Sequence, residues 1–252
     1  PAFSLPVAAL EGDALLRRRS LHSTPVASSV RDYVYGDSVG RIHWPTTART
    51  GRLMVKEFDQ GLSAAIWVLV DMQGEVQAGT GEDTTDELAA SVAASVAKRF
   101  LDVDLPVGLA AYGEQPYLLP LDRGLEQLQR VLEHLAEARA EGVTPLTTAL
   151  AEVGRFLSRY NNLLIVTPTT KTDWIPAALA LSTRGIRLAV VLVDAGSFGG
   201  RAGTPDVLAQ LGAQNVPAYV VKKGQSLAEA LTSPVARGRG IFATSLVEVA
   251  RR

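Results

Sequence analysis

The sequence predicts an α/β fold: a doubly wound, mostly parallel sheet with helices on both faces, preceded by a small β-rich segment. Three observations carry this. Residues 64–71, 106–112, 162–167, 186–194 and 216–221 are apolar runs, most of them without alternation, as strands covered on both faces are. Stretches between them repeat apolar residues every three or four positions, as helices with one buried stripe do. Residues 1–62 do neither, because Pro6, Gly12, Pro25, Gly36, Gly40, Pro45 and Gly51 break their short apolar groups. The β-rich segment is therefore assigned to residues 1–62 and the α/β domain to 63–252.

In chain order, residues 30–35 and 52–58 alternate apolar and polar side chains and read as half-buried strands. Gly36-Asp37-Ser38 and Thr50-Gly51 read as tight turns between short strands, and no stretch before residue 62 sustains a helical period. Residues 64–71 form the first buried strand, which delivers one acid, Asp71, to the sheet edge. Leu88, Val92, Val96 and Phe100 mark one face of a helix. Residues 116–121 add an edge strand beside 106–112, across the turn Gly113-Glu114-Gln115. Leu125, Leu128, Val131, Leu132 and Leu135 make a second helical face, and Leu146, Leu150, Val153 and Leu157 a third. Thr204-Pro205 reads as an N-cap and first-turn proline, with Gly212 closing that helix, while 196–203 is a loop. In such sheets ligands bind at the strand carboxyl ends, which directs attention to Asp71, Gly113, Thr167-Pro168 and Asp194.

The 252 residues are 47% hydrophobic and 20% charged, ordinary for a globular domain with or without a smaller companion. A net charge of -1 gives no footing for a nucleic-acid partner or for attraction to an acidic membrane surface. The absence of cysteine excludes disulfides, thiolate nucleophiles and cysteine-ligated metals. Only His22, His43 and His134 are present, which argues against a multi-histidine metal site. The longest apolar run, residues 64–70, falls far short of the ~20 residues a membrane span needs. Arg17-Arg18-Arg19 is followed by no apolar stretch and reads as a solvated cluster rather than a secretion signal. Pro1 lies inside an extended-looking segment, so a piece of a longer protein is expected.

Between Arg31 and Asp71 turn residues, arginines and aromatics are denser than elsewhere. Tyr33, Gly36, Asp37, Ile42, His43, Trp44, Ala48 and Arg49 form the pattern Y-x-x-G-D-x-x-x-x-I-H-W-x-x-x-A-R, with Arg41 inside it. This pattern resembles the signature of bacterial domain-of-unknown-function family 58, and the resemblance runs from about Val30 to the C-terminus. Members look like von Willebrand factor A domains and often accompany MoxR-type AAA+ ATPases. Such domains hold a divalent cation through an Asp-x-Ser-x-Ser after the first strand, a later threonine and an Asp after the fourth strand, all hard oxygen ligands. Asp71 matches the first acid and Thr144 the threonine, but Gln73 and Glu75 stand at the serine positions. Pro168, followed by Thr169, replaces the last acid. A degenerate metal-ion-dependent adhesion site is therefore expected, with no cofactor, Mg2+ at Asp71 being the alternative. Thr144-Pro145 also reads as a helix N-cap and first-turn proline.

The signature block reads as structural. Asp37 is expected to cap its turn and pair with Arg31, Arg41 or Arg49, and Trp44 to cover the seam between the β-rich segment and the sheet. His43 reads as a satisfied, partly buried side chain. Ala195-Gly196-Ser197-Phe198-Gly199 lacks the first glycine of a nucleophile elbow and the helix that should follow at once. Asp71 with Lys222 or Lys223 would suggest a phosphoacceptor site, but the paired acids such a site requires are missing.

The reading is a non-catalytic protein-interaction module. The resemblance implies an AAA+ ATPase partner, a role in protein assembly or activation, and a cytoplasmic position with a membrane tether upstream of Pro1. The candidate partner surface comprises Gln73, Thr144, Thr169, Lys171 and Trp174; Trp174 reads either as its aromatic anchor or as a helix residue packed into the core. The alternative function is a hydrolase-type enzyme acting through Asp71, Asp194 and Ser197.

Overall fold

The computed structural model describes residues 29–34, 42–57, 65–81, 83–159 and 161–236. The chain forms two compact units, one of residues 11–63 and one that holds residues 64–252. In the first, β1 (Ser29–Asp32) pairs antiparallel with β2 (Met54–Glu57). Between them stands α1 (Trp44–Thr50), a helix where the sequence predicts only strands and turns. It buries no residue and so has no apolar stripe to betray it; its ends are fixed locally instead. His43 Nδ1 accepts the Thr46 N–H at 3.3 Å, and Gly51, at φ +66°, donates its N–H to the Thr47 carbonyl at 2.9 Å. Thr47 Oγ1 accepts the Met54 N–H at 3.0 Å, which ties the helix to β2.

The second unit is built on β3 (Ile66–Asp71), β6 (Val107–Tyr112), β7 (Pro116–Asp122), β8 (Asn162–Thr167), β9 (Arg187–Val193) and β10 (Ala218–Val221). They form one sheet in the order β10-β9-β8-β3-β6-β7, parallel except for β7. A two-residue pair, β4 (Gly79–Thr80) and β5 (Asp83–Thr84), stands apart from it. The first strand of this sheet is thus a central one, with its carboxyl end at Asp71. Prolines 116 and 120 fall on the edge strand β7, where a missing ladder donor is tolerated.

Both faces of the sheet are covered, which explains the unalternating strand sequences. Ile66, Val68 and Val70 pack with α2 (Thr85–Asp102), α3 (Gly124–Glu137) and α7 (Leu227–Ala230). Trp67 and Leu69 pack with α4 (Leu146–Val153), α5 (Ile175–Thr183) and α6 (Thr204–Ala213). Burying each such side chain contributes roughly 1.5–3 kcal/mol, so the two cores hold the strand ends firmly. Gly108 on β6 has no Cβ because one would come within 2.8 Å of the Trp67 ring on the neighbouring strand.

Helix α2 follows its expected face, with Val92, Val96 and Phe100 fully buried. Helix α3 does not: Leu125 is 82% exposed and Leu132 is also exposed, while Gln127 is buried. The Gln127 carboxamide donates to the Val107 and Pro120 carbonyls at 2.8 and 2.9 Å, so the packed stripe runs through Gln127, Val131 and Leu135. Helix α5 appears where the sequence signals only Trp174, because a helix apolar on most sides has no period to read.

Candidate functional site

Val70 on β3 pairs with Val166 on β8, so the residues that follow, Asp71 and Thr167, meet at the carboxyl edge. Thr167 Oγ1 donates to Asp71 Oδ2 at 2.6 Å, and the Gln73 N–H donates to Oδ1 at 3.1 Å. Gln77 Nε2 donates to the Asp71 carbonyl at 2.9 Å. Asp71 is 2% exposed. Burial pushes its carboxyl above the usual carboxylate range, against the hydrogen bonds from Thr167 and Gln73, which favour the ionised form.

A chain of hydrogen bonds leads outward from Thr167. Its hydroxyl accepts the Thr169 N–H at 3.0 Å, and Thr169 Oγ1 accepts the Lys171 N–H at 3.2 Å. Lys171 Nζ donates to Glu75 Oε1 at 2.8 Å, and the hydrogen bond and charge of Lys171 hold the Glu75 carboxyl below its ordinary range. The Lys171 carbonyl accepts Trp174 Nε1 at 2.9 Å. Over this network lies a cleft of about 70 Å³ bordered by Glu75, Gln77, Thr169, Lys171 and Arg201.

A second acid ends the neighbouring part of the sheet. Asp194, one residue past β9, is half-buried and accepts the Thr204 hydroxyl on Oδ1 at 2.8 Å. It lines a cavity of about 590 Å³ with Thr204, Leu208, Val220, Lys222, Lys223 and others. Ser197 sits in a 3₁₀ turn, Ala195–Phe198. Its hydroxyl donates to the Asp194 carbonyl at 2.7 Å and accepts the Lys223 N–H at 3.0 Å. A carbonyl cannot take up a proton as a general base would, so this arrangement does not activate the hydroxyl.

The sequence-predicted residues divide as follows. Asp71, Gln73, Thr169 and Lys171 come together around one network. Thr144 lies half-buried in the loop before α4, which runs beside Gln73 through the Gly142 bridge, but it gives no hydrogen bond to Asp71. It does not cap α4 either: the N-cap position is Pro145, with no side-chain cap bond. Trp174 is 1% exposed and belongs to the core, which corrects its reading as a surface anchor. Its indole reaches a main-chain carbonyl, so an otherwise polar atom is satisfied inside. Thr204 is the first residue of α6 rather than its cap, and its hydroxyl serves Asp194. Lys222 and Lys223 line the Asp194 cavity, and Lys223 Nζ pairs with Asp83 at 3.0 Å.

In the first unit, His43 caps α1 and lies 2.7 Å from Thr46 Oγ1 through Nδ1. Within this unit Trp44 is 62% exposed, and Ala48 and Arg49 are exposed on the same short helix. The Tyr33 N–H donates to the Leu53 carbonyl at 2.8 Å, extending the hairpin. Gly36, Asp37 and Arg41, and with them the expected cap at Asp37, lie outside the described residues.

The sequence marks Thr167 only as a strand end and Thr204 only as a cap, and misses that both donate to the two strand-end acids. A signal existed for Thr167 only: residues 66–71 and 162–167 are runs of equal length, so parallel pairing in register brings their last residues level. Asp71 turns both oxygens to protein donors, Glu75 is committed to Lys171, and Lys171 and Arg201 border the cleft. Among the described residues no group of three or more acidic or histidine side chains is placed to hold a metal ion, and no helix is long and apolar enough to cross a membrane.

Comparison with known proteins gives the architecture a context. The family described as protein of unknown function DUF58 matches residues 29–197. The uncharacterized protein YeaD of Bacillus subtilis (strain 168) is 30% identical over 172 residues, 68% of this chain and 40% of YeaD. The chain thus spans well under half of that relative. Among solved structures, the pilus adhesin SpaC of Lactobacillus rhamnosus GG superposes with a TM-score of 0.50 at 12% identity, covering 67% of this chain and 29% of SpaC. The conserved hypothetical protein BatB of Bacteroides thetaiotaomicron gives 0.48 at 14% identity, covering 67% and 95% of the two chains. A von Willebrand factor type A protein of Catenulispora acidiphila gives 0.48 at 18% identity, covering 67% and 41%. Likeness at these identities concerns the fold alone, here a mostly parallel central sheet flanked by helices.

Proposed function

The chain belongs to the DUF58 family of proteins of unknown function, and from that premise we propose that it is a protein-interaction module that works without a metal ion. The observation that carries this reading is the state of Asp71. A metal-binding domain of this architecture presents that acid to a cation, whereas here both oxygens are taken by Thr167 and Gln73. The rim above it is shallow and polar, with Lys171 held in place by Glu75. Catalysis at Asp71 would ask for a deep concavity with convergent groups, and the 70 Å³ cleft over that buried acid supplies neither. A rim of fixed polar groups suits recognition of another protein.

The partner we propose is a MoxR-type AAA+ ATPase, in the assembly or activation of other proteins, on the cytoplasmic side of a membrane with the tether outside this chain. The signature from Tyr33 to Arg49 supports that part of the reading. Affinity capture of the full-length protein, with wild type compared with Lys171→Glu, tests it. An AAA+ ATPase is expected to co-purify with wild type and to be lost with the variant; recovery of no ATPase overturns the partner. Calorimetric titration with magnesium, manganese and calcium is expected to show no tight binding. Micromolar affinity that Asp71→Ala abolishes would overturn the metal-free mode.

A further inference from the structure

We propose that the Asp194 cavity is an anchoring pocket for a segment of the partner protein that carries an acidic side chain beside an apolar one. This rests on the interaction-module reading above and extends it to a second place on the same sheet edge. The cavity, about 590 Å³, is of the size that holds ligands, whereas the cleft over Asp71 is about 70 Å³. Its wall is apolar at Leu208, Val220 and Val235. An aliphatic side chain laid there leaves water without displacing any charged group.

The charges on the rim select the rest of the segment. The Lys223 ammonium is already engaged, with Asp83 at 3.0 Å and the Phe198 ring at 5.9 Å. Lys222 is different: among the described residues its ammonium has no ion pair and no hydrogen bond, though its backbone is fixed. The Lys222 N–H donates to Gln225 Oε1 at 3.2 Å, and its carbonyl accepts the Gln225 N–H at 3.1 Å. A cation with no partner among the described residues, on a held backbone, is ready for an acid from outside. Asp194 lines the same cavity but forms no ion pair with Lys222, and Thr204 occupies only one of its oxygens. That carboxylate opposes a phosphate, which brings multiple negative charges and no donor. An extended peptide satisfies both groups, since its carboxylate meets Lys222 while a main-chain N–H meets Asp194.

The test is a titration of the ¹⁵N-labelled chain with acetyl-Leu-Glu-Leu-amide, acetyl-Leu-Lys-Leu-amide and inorganic phosphate, read from backbone amide shifts. The acidic peptide is expected to move the signals of Thr204 and residues 222–225 saturably, with the basic peptide at least about tenfold weaker. Lys222→Glu, an exposed change that leaves the melting midpoint in place, is expected to reverse that preference. Equal binding of both peptides, shifts confined to other residues, or phosphate binding as well as the acidic peptide would each overturn the proposal. Failure here is distinguishable from failure of the broader reading. If an ATPase is captured by wild type and by Lys222→Glu alike, the module stands and the pocket falls. If no ATPase is captured while the acidic peptide binds, the pocket stands and the named partner falls.

Discussion

Asp71 and Asp194 both stand at the carboxyl edge of one sheet, and each accepts a threonine hydroxyl, at 2.6 and 2.8 Å. Beyond that they diverge. Asp71 ends the central strand β3, has both oxygens occupied and lies under a narrow cleft. Asp194 follows β9, next to the short edge strand β10, keeps one oxygen without a side-chain partner among the described residues and borders the large cavity. Strand position explains the difference. A central strand is flanked on both sides by loops that close over its end, here through Gly142 and through Pro168 to Lys171. Among the described residues, the outer edge of β10 is paired only near its amino end, where Ala218 meets Ala236. The same pair of residue types thus makes a sealed structural knot in one place and an open rim in the other.

The comparison breaks first at the support of the sealed end. Trp174→Ala is expected to cost about 3–5 kcal/mol in urea unfolding, because a buried indole packed under the Lys171 turn is removed. A change below ~1 kcal/mol would show that the turn does not depend on that packing.

Next comes the pair of acids themselves. Asp71→Ala strips the acceptor from the Thr167 hydroxyl and the Gln73 amide, with an expected loss of about 2–3 kcal/mol. Asp194→Ala, half-exposed and with one such bond, is expected to lose about 1 kcal/mol or less. Equal losses would dissolve the distinction between the two ends.

The pH dependence sharpens it further. Because burial raises the Asp71 carboxyl in the folded chain, the folded state takes up this proton before the unfolded state does. The Asp71 contribution is therefore least favourable at neutral pH and improves as pH falls from the raised value toward the ordinary ~4. Unfolding midpoints of wild type and Asp71→Asn, measured between about pH 7 and about pH 4, should move in favour of wild type on acidification. The opposite slope would mean that the hydrogen bonds from Thr167 and Gln73 outweigh burial.

The smallest effect on stability is expected at the rim. Lys171→Met removes an exposed ion pair with Glu75, and such pairs contribute little in water. The melting midpoint is expected to stay in place while capture of the partner falls. A large drop in the midpoint would make Lys171 a structural residue.

Much of this was legible in the residues before any coordinates. The strand runs are apolar because both faces of a parallel sheet are buried, and that requirement is written locally in each segment, as in Ile66–Asp71 and Asn162–Thr167. The signature from Tyr33 to Arg49 carried the family. Helix α1 stayed hidden because its stability comes from two caps rather than from a buried stripe, and α5 because it is apolar on most sides. What only the tertiary structure decided were the pairings between distant segments: Thr167 with Asp71 across 96 positions, Trp174 turned into the core, Gln127 taking the place of leucines on α3. Burial and hydrogen bonding of a side chain depend on what the rest of the chain brings to it. A threonine at a strand end, or a lysine just past one, therefore acquires its role only when the neighbouring strand and loop arrive.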